Sequence, residues 1–231
     1  MDRERLFDDF KSQCRQKEIC GQGNPNADIL IIGKEPYGDE IKDTEKFLEF
    51  LETNYNNCGV HCFQKNKDDN FGKLVTWKNY QKLIYYVYKG IKYDGFDKDI
   101  IDFEKHAFTT ELSSMPRRKS NYKASKKMIQ KRLAFFKESG FIQSFPVVVL
   151  ACGPYIKNIG DIKNRQIDST FSVTYKDRQA FPGSGIWFYN HYNKDNSKLV
   201  IHTRQLSNFH GDGNLLIKKM AEVIRKHLNI E

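Results

Sequence analysis

Long apolar runs are missing from this chain. The longest, about Phe145–Cys152, is far too short to span a bilayer, and no membrane segment is expected. The start, Met1-Asp2-Arg3-Glu4-Arg5, is charged and leads into an amphipathic segment, which is not the pattern of an export signal. Cysteines number only five, an odd count suited to reduced thiols, so a cytoplasmic setting is expected rather than a disulfide framework. No Pro-, Gly- or Ser-rich stretch separates two apolar halves, and no internal repeat is visible. One domain over residues 1–231 is therefore expected. Neither Gly-x-x-x-x-Gly-Lys nor Gly-x-Gly-x-x-Gly occurs, which argues against a nucleotide-phosphate loop.

Positive charge, in contrast, is plentiful. Lys and Arg total 38 against 29 Asp and Glu, a formal charge of +9. Such an excess favours a polyanionic partner through counterion release. It is concentrated at Arg117-Arg118-Lys119, followed by Lys123, Lys126, Lys127, Lys131 and Arg132, although a solvated helix face would look the same.

Four short apolar runs lack the alternation of a half-wet sheet and read as buried parallel strands. They are Ile29–Ile32, Ala107–Leu112, Val147–Ala151 and Leu199–Ile201. Helical spacing of apolar residues marks Thr44–Leu51, Trp77–Tyr88, Met128–Phe136 and Leu215–Leu228. Alternating strands and helices predict an α/β fold, three layers α/β/α around a central, mainly parallel four-stranded sheet. Ligands of such sheets bind at the carboxyl ends of the strands. There the chain carries Lys34-Glu35-Pro36-Tyr37, Glu111, Cys152-Gly153-Pro154 and His202–Ser207.

The run Asn24–Tyr37, ending Gly33-Lys34-Glu35-Pro36-Tyr37, resembles the first motif of the uracil-DNA glycosylase superfamily. His202-Thr203-Arg204-Gln205-Leu206-Ser207 resembles its second motif, and Val147–Gly153 the intervening apolar strand. The resemblance spans about residues 24–216 and is dense only at its two ends. It implies hydrolytic excision of a flipped base from DNA, single- or double-stranded, by a monomer without metal or cofactor. An inactive DNA- or damaged-base-binding protein on the same fold is the alternative.

By that resemblance, Glu35 stabilises the sugar cation and orients a water, as carboxylates do in glycoside hydrolysis. His202, uncharged, faces the developing anion of the base. Tyr37 walls the pocket, and Leu206 matches the wedge pushed into the base stack, beside Ser207. Taken alone, Glu35 would equally suit a helix N-terminus, His202 a hydrogen-bonded strand end, and Leu206 the core.

Departures from the pattern are specific. Glu111 stands where many members carry an Asn that reads uracil. An ionised Glu offers only acceptors, suited to an amino group, whereas a protonated one also donates. A register slip would place Thr109, Thr110 or Ser113 there instead. The second motif has lost both its prolines and gained Arg204 and Gln205, and Arg204 is expected on a phosphate, together with Arg117, Arg118 and Lys119. Phe71, in Asn70-Phe71-Gly72, is the preferred partner for stacking on the base, ahead of Trp77 and Tyr80, which also fit a helix core stripe. Cys14 and Cys20 lie roughly where the iron–sulfur class has its first ligand pair, but the remaining ligands are not visible. A four-ligand zinc set with Cys58 and Cys62 would lack the usual two-residue spacing, and no metal is expected.

Overall fold

A computed structural model describes residues 2–14, 18–36, 41, 44–52, 58–65, 67, 74–92, 95, 97–118, 122–156, 165–181, 185–207 and 212–231. In chain order, the elements are α1 (Arg3–Cys14), β1 (Gln22–Gly23), β2 (Ile29–Gly33), α2 (Thr44–Leu51), β3 (Phe63–Gln64), α3 (Val75–Lys89) and β4 (Ile100–Ile101). There follow β5 (Ala107–Glu111), α4 (Tyr122–Glu138), α5 (Gly140–Gln143), β6 (Val147–Ala151) and α6 (Gln166–Phe171). The last are β7 (Thr174–Ala180), β8 (Trp187–Tyr192), β9 (Leu199–Thr203) and α7 (Gly213–His227).

The main sheet has seven strands in the order β1-β5-β2-β6-β9-β8-β7. Its middle four, β5, β2, β6 and β9, are parallel and coincide with the four apolar runs. The expectation of four strands is therefore corrected to seven. An antiparallel β1 lies outside β5, and the antiparallel β8 and β7 extend the sheet beyond β9. A separate antiparallel pair joins β3 and β4.

The central strands are rich in Ile and Val, whose branched side chains suit a pleated surface covered on both sides. Their residues alternate between two apolar clusters. Leu30, Ile32, Phe108, Val148, Leu150 and Val200 meet α1, α4, α5 and α6 on one face. Ile29, Ile31, Ala107, Val147, Val149, Leu199 and Ile201 meet α3 and α7 on the other. Each fully buried aliphatic side chain contributes about 1.5–3 kcal/mol by leaving water. In α7 the buried set Leu216, Ile217, Met220, Ala221 and Ile224 follows helical spacing, and Asp212 caps the helix by accepting from the Leu215 N–H at 3.0 Å. No helix among the described residues is long and apolar enough to cross a membrane.

Candidate active site

Strand register puts the expected groups at one end of the sheet, Glu111 in the parity of Ala107 on the α3 and α7 side and His202 in the parity of Val200 on the α6 side. Gly33 of β2 pairs with Glu111 of β5, and Leu150 of β6 with His202 of β9, so Glu35, Glu111, Gly153 and His202 all lie at the carboxyl ends of the parallel strands. Beyond the strands, backbone bonds continue between the loops after β2 and β5. The N–H groups of Leu112, Ser113 and Arg117 donate to the carbonyls of Gly33, Lys34 and Pro36, at 3.1, 2.8 and 2.8 Å. Glu35 is thereby held beside Glu111 by main chain rather than by side-chain contact.

Glycine at position 33 makes room for this pair. A Cβ there would stand 2.8 Å from both Cδ and Oε1 of Glu111 and closer still to Oε2, so the Glu111 carboxyl occupies the volume that any side chain would need. Although Glu111 as a residue keeps some exposure, its Oε2 is buried with no hydrogen-bond partner among the described residues. Burial first, and then the charge of Glu35, push the Glu111 carboxyl up to about 8, against a smaller opposing pull from Arg132. It is thus mainly protonated at neutral pH. Glu35 likewise has a buried Oε2 without a partner among the described residues.

Arg132 supports this corner and went unrecognised within its run of basic residues. It is 0% exposed, not part of a solvated face. From α4 its guanidinium donates to Glu111 O at 3.2 Å, Thr110 Oγ1 at 3.0 Å, Ile19 O, and Glu18 Oε2 at 3.4 Å, and it lies over the ring of Phe136. Its spacing with Ile129, Leu133 and Phe136 gives it the inward face of α4, the one signal that could have found it.

His202 is 3% exposed, and burial, the dominant cause, lowers it to about 4, so the ring is neutral at physiological pH. Its Nε2 lies 2.8 Å from Gly153 O. A carbonyl only accepts, so Nε2 carries the hydrogen, and Nδ1 is left as a buried acceptor without a partner among the described residues. Gly153, with φ +54, brings the turn after β6 close to the backbone of Arg204 and Gln205 and to the Lys34 side chain. The Lys34 ammonium sits 5.2 Å from the centre of the Tyr155 ring, and burial lowers its pKa. Cys152, beneath the same rim, has its thiol pushed up by burial, so it is no thiolate nucleophile.

Several expected residues lie elsewhere. Leu206 is 0% exposed and packs in the cluster formed with α3 and α7, its carbonyl accepting from Asn79 Nδ2 at 2.9 Å. It is core here, not a projecting wedge, because the turn after β9 directs it toward those helices. Arg204, Ser207 and Arg117 are half-buried at the rim and Arg118 is exposed. Thr109 and Ser113 flank Glu111 without displacing it: Thr109 Oγ1 donates to Gln22 O at 3.2 Å, and Ser113 faces Met128. Tyr37, Phe71 and Lys119 lie outside the described residues. Trp77 and Tyr80 pack on Phe103, as a helix core stripe would, although the Tyr80 hydroxyl is pushed up by burial first and then by the charge of nearby Glu111.

The aromatic groups closest to His202 come instead from β8. Tyr189 stacks on the imidazole at 5.9 Å with 22° between planes, and Trp187 meets it edge-on at 5.5 Å. Away from the rim, the thiols of Cys20 and Cys58 touch at 2.6 Å and Cys14 lies against Cys20, all buried, while Cys62 is exposed. Among the described residues no group of three or more His, Cys, Asp or Glu is arranged to hold a metal ion. Compared with known proteins, the chain matches no family model and no curated protein.

Proposed function

We propose that this protein is a monofunctional DNA glycosylase, a divergent relative of the uracil-DNA glycosylases in their three-layer α/β/α arrangement, hydrolysing the bond between deoxyribose and a uracil-like pyrimidine. One observation carries the reading. Two carboxyls share the strand-end rim, and one is driven up to about 8 by burial first and then by the charge of the other. A carboxyl that its site keeps protonated at neutral pH can donate a hydrogen bond to a bound group.

In this reading, the Glu35 carboxylate stabilises the cationic sugar and takes a proton from the attacking water. The water oxygen bonds to C1′, the C1′–N1 bond breaks, and its electron pair leaves with the base. Glu111 reads the base edge. As a protonated acid it presents one O–H donor and one carbonyl acceptor, the same pair as an asparagine amide, and so matches O4 and N3–H of uracil. Replacement of Asn by Glu therefore preserves the pattern at neutral pH. Above about pH 8 the group offers only acceptors and fits an exocyclic amine. Neutral His202 serves the departing base when its N–H turns from Gly153 O toward the base oxygen.

The test is abasic-site formation on oligonucleotides, single- and double-stranded, carrying uracil, hypoxanthine or a modified cytosine. Excision of uracil below pH 8 that fades as Glu111 ionises supports the reading. No excision from any substrate, with DNA still bound, favours a base-sensing protein that does not cleave. The observation favouring that second reading is the commitment of the His202 N–H to a backbone carbonyl.

A further inference from the structure

The strands added beyond β9 form a two-stranded ribbon whose composition the excision chemistry does not explain. Register places Tyr189 opposite both His202 and Arg178, with Trp187 opposite Ala180, so Trp187, Tyr189, Arg178 and His202 share one face. On that face the rings run on continuously. Tyr175 lies 6.0 Å from Tyr189, Tyr189 5.1 Å from Trp187, and both β8 rings touch the His202 imidazole. Guanidiniums lie over the outer rings, Arg165 5.0 Å from Tyr175 and Arg178 5.8 Å from Tyr189. The lower part of this face is closed by α6, whose Asp168 engages His191 at 2.7 Å. Toward the rim, Trp187 and Tyr189 remain half-exposed and Arg178 exposed.

Cross-strand aromatic pairs stabilise a sheet by themselves. These rings are left partly in water under positive charge. The strand's acid is turned away: Asp177 pairs opposite Asn190 and accepts from its amide at 2.7 Å, on the opposite face from Tyr189. Asp168 is already matched by His191 and Arg165. The face is thus aromatic and cationic, and it continues to the rim at His202 and Arg204.

We propose that this ribbon is a stacking platform for single-stranded nucleic acid, leading unpaired nucleotides to the strand-end rim. The proposal deepens the glycosylase reading and rests on it for the direction of the strand. In a duplex the base faces are occupied by each other, whereas an unpaired strand offers its faces to Tyr189 and Trp187 and a phosphate to the exposed Arg178. Stacking of this kind tolerates any base, so binding strength is largely independent of sequence.

Trp187 and Trp77 are the two tryptophans in the chain, so a Trp77→Phe variant reports on the platform alone. Its emission is titrated with short oligothymidylate, with oligouridylate and with duplex DNA, anisotropy of labelled strands giving affinity. Saturable quenching is expected with single strands, which bind more tightly than duplex. Tyr189→Leu should weaken single-strand binding by about ten-fold, one stacked base. Arg178→Ala, an exposed edge substitution that leaves the fold intact, should flatten the slope of log affinity on log salt by about 0.7, one phosphate contact. The proposal fails if Trp187 emission is unchanged while anisotropy reports binding, if duplex binds as tightly as single strands, or if both variants bind as the parent does. Abasic-site assays alongside separate the two claims: excision that ignores Tyr189 and Arg178 sinks only the platform, and platform-dependent binding without excision sinks only the glycosylase.

Discussion

Replacing Glu111 by Gln tests the protonated carboxyl without any knowledge of substrate. Below about pH 4.5, the ordinary value, this group holds its proton in folded and unfolded chains alike and adds no pH dependence. Between about 4.5 and 8 the folded chain binds one proton more than the unfolded chain. Stability therefore falls as pH rises, by about 1.4 kcal/mol per unit and about 5 kcal/mol over the whole window, after which the loss is complete. Against the 5–15 kcal/mol or so that holds a typical domain together, such a loss is readily measured. Gln keeps the shape and cannot ionise, so this contribution vanishes. Urea unfolding of both proteins at several pH values from about 5 to 8 gives the difference directly, and other titrating groups cancel in it. The variant should gain on the parent steadily with rising pH. Parallel stability curves for the two proteins would mean that Glu111 ionises in the folded state as it does in water, and its proposed O–H donor to the base would go with it.

Three further outcomes follow from the same corner. Glu35→Gln should lower turnover far more than DNA affinity, because it removes charge stabilisation made mainly in the transition state, and it should also move the Glu111 transition to lower pH; single-turnover kinetics and the pH series check each part. Arg132→Met should cost about 3–5 kcal/mol in denaturant unfolding by stranding the buried Glu111 and Ile19 carbonyls and the Glu18 carboxylate, with part recovered on adding Glu18→Gln. Gly33→Ala should cost about 1–3 kcal/mol by overpacking and, by driving the Glu111 carboxyl out of its niche, should shrink the pH slope toward that of Glu111→Gln.

The parallel half of the sheet was legible because burial on both faces writes continuous apolar runs. Val147–Ala151 was delimited to the residue, and the other three strands to within two. The ribbon was not, because β7 reads Thr-Tyr-Lys-Asp-Arg-Gln-Ala and alternates exposed with half-exposed positions, leaving no apolar signal. In β8 the buried Asn190 donates its amide N–H to Asp177 and His191 engages Asp168, partners that only the tertiary fold supplies. Strand ends located Glu35, Glu111 and His202, since one-dimensional order is enough to find a rim. It is not enough to aim a side chain. Leu206 looks the same in sequence whether it projects or packs inward, and Arg132 looks like its exposed lysine neighbours until α4 is laid against β5.

The backbone bonds tying the loop after β2 to the loop after β5 make the two a single mount with interchangeable heads. Spacing between positions 35 and 111 is a property of peptide groups, indifferent to which side chains they carry. Exchanging acid for amide at position 111 alters the donors and acceptors presented there while leaving those backbone bonds in place. Under the proposed function, a panel of Asp, Asn, Glu and Gln at position 111, with Glu35 kept, becomes a means of retuning base preference on one frame.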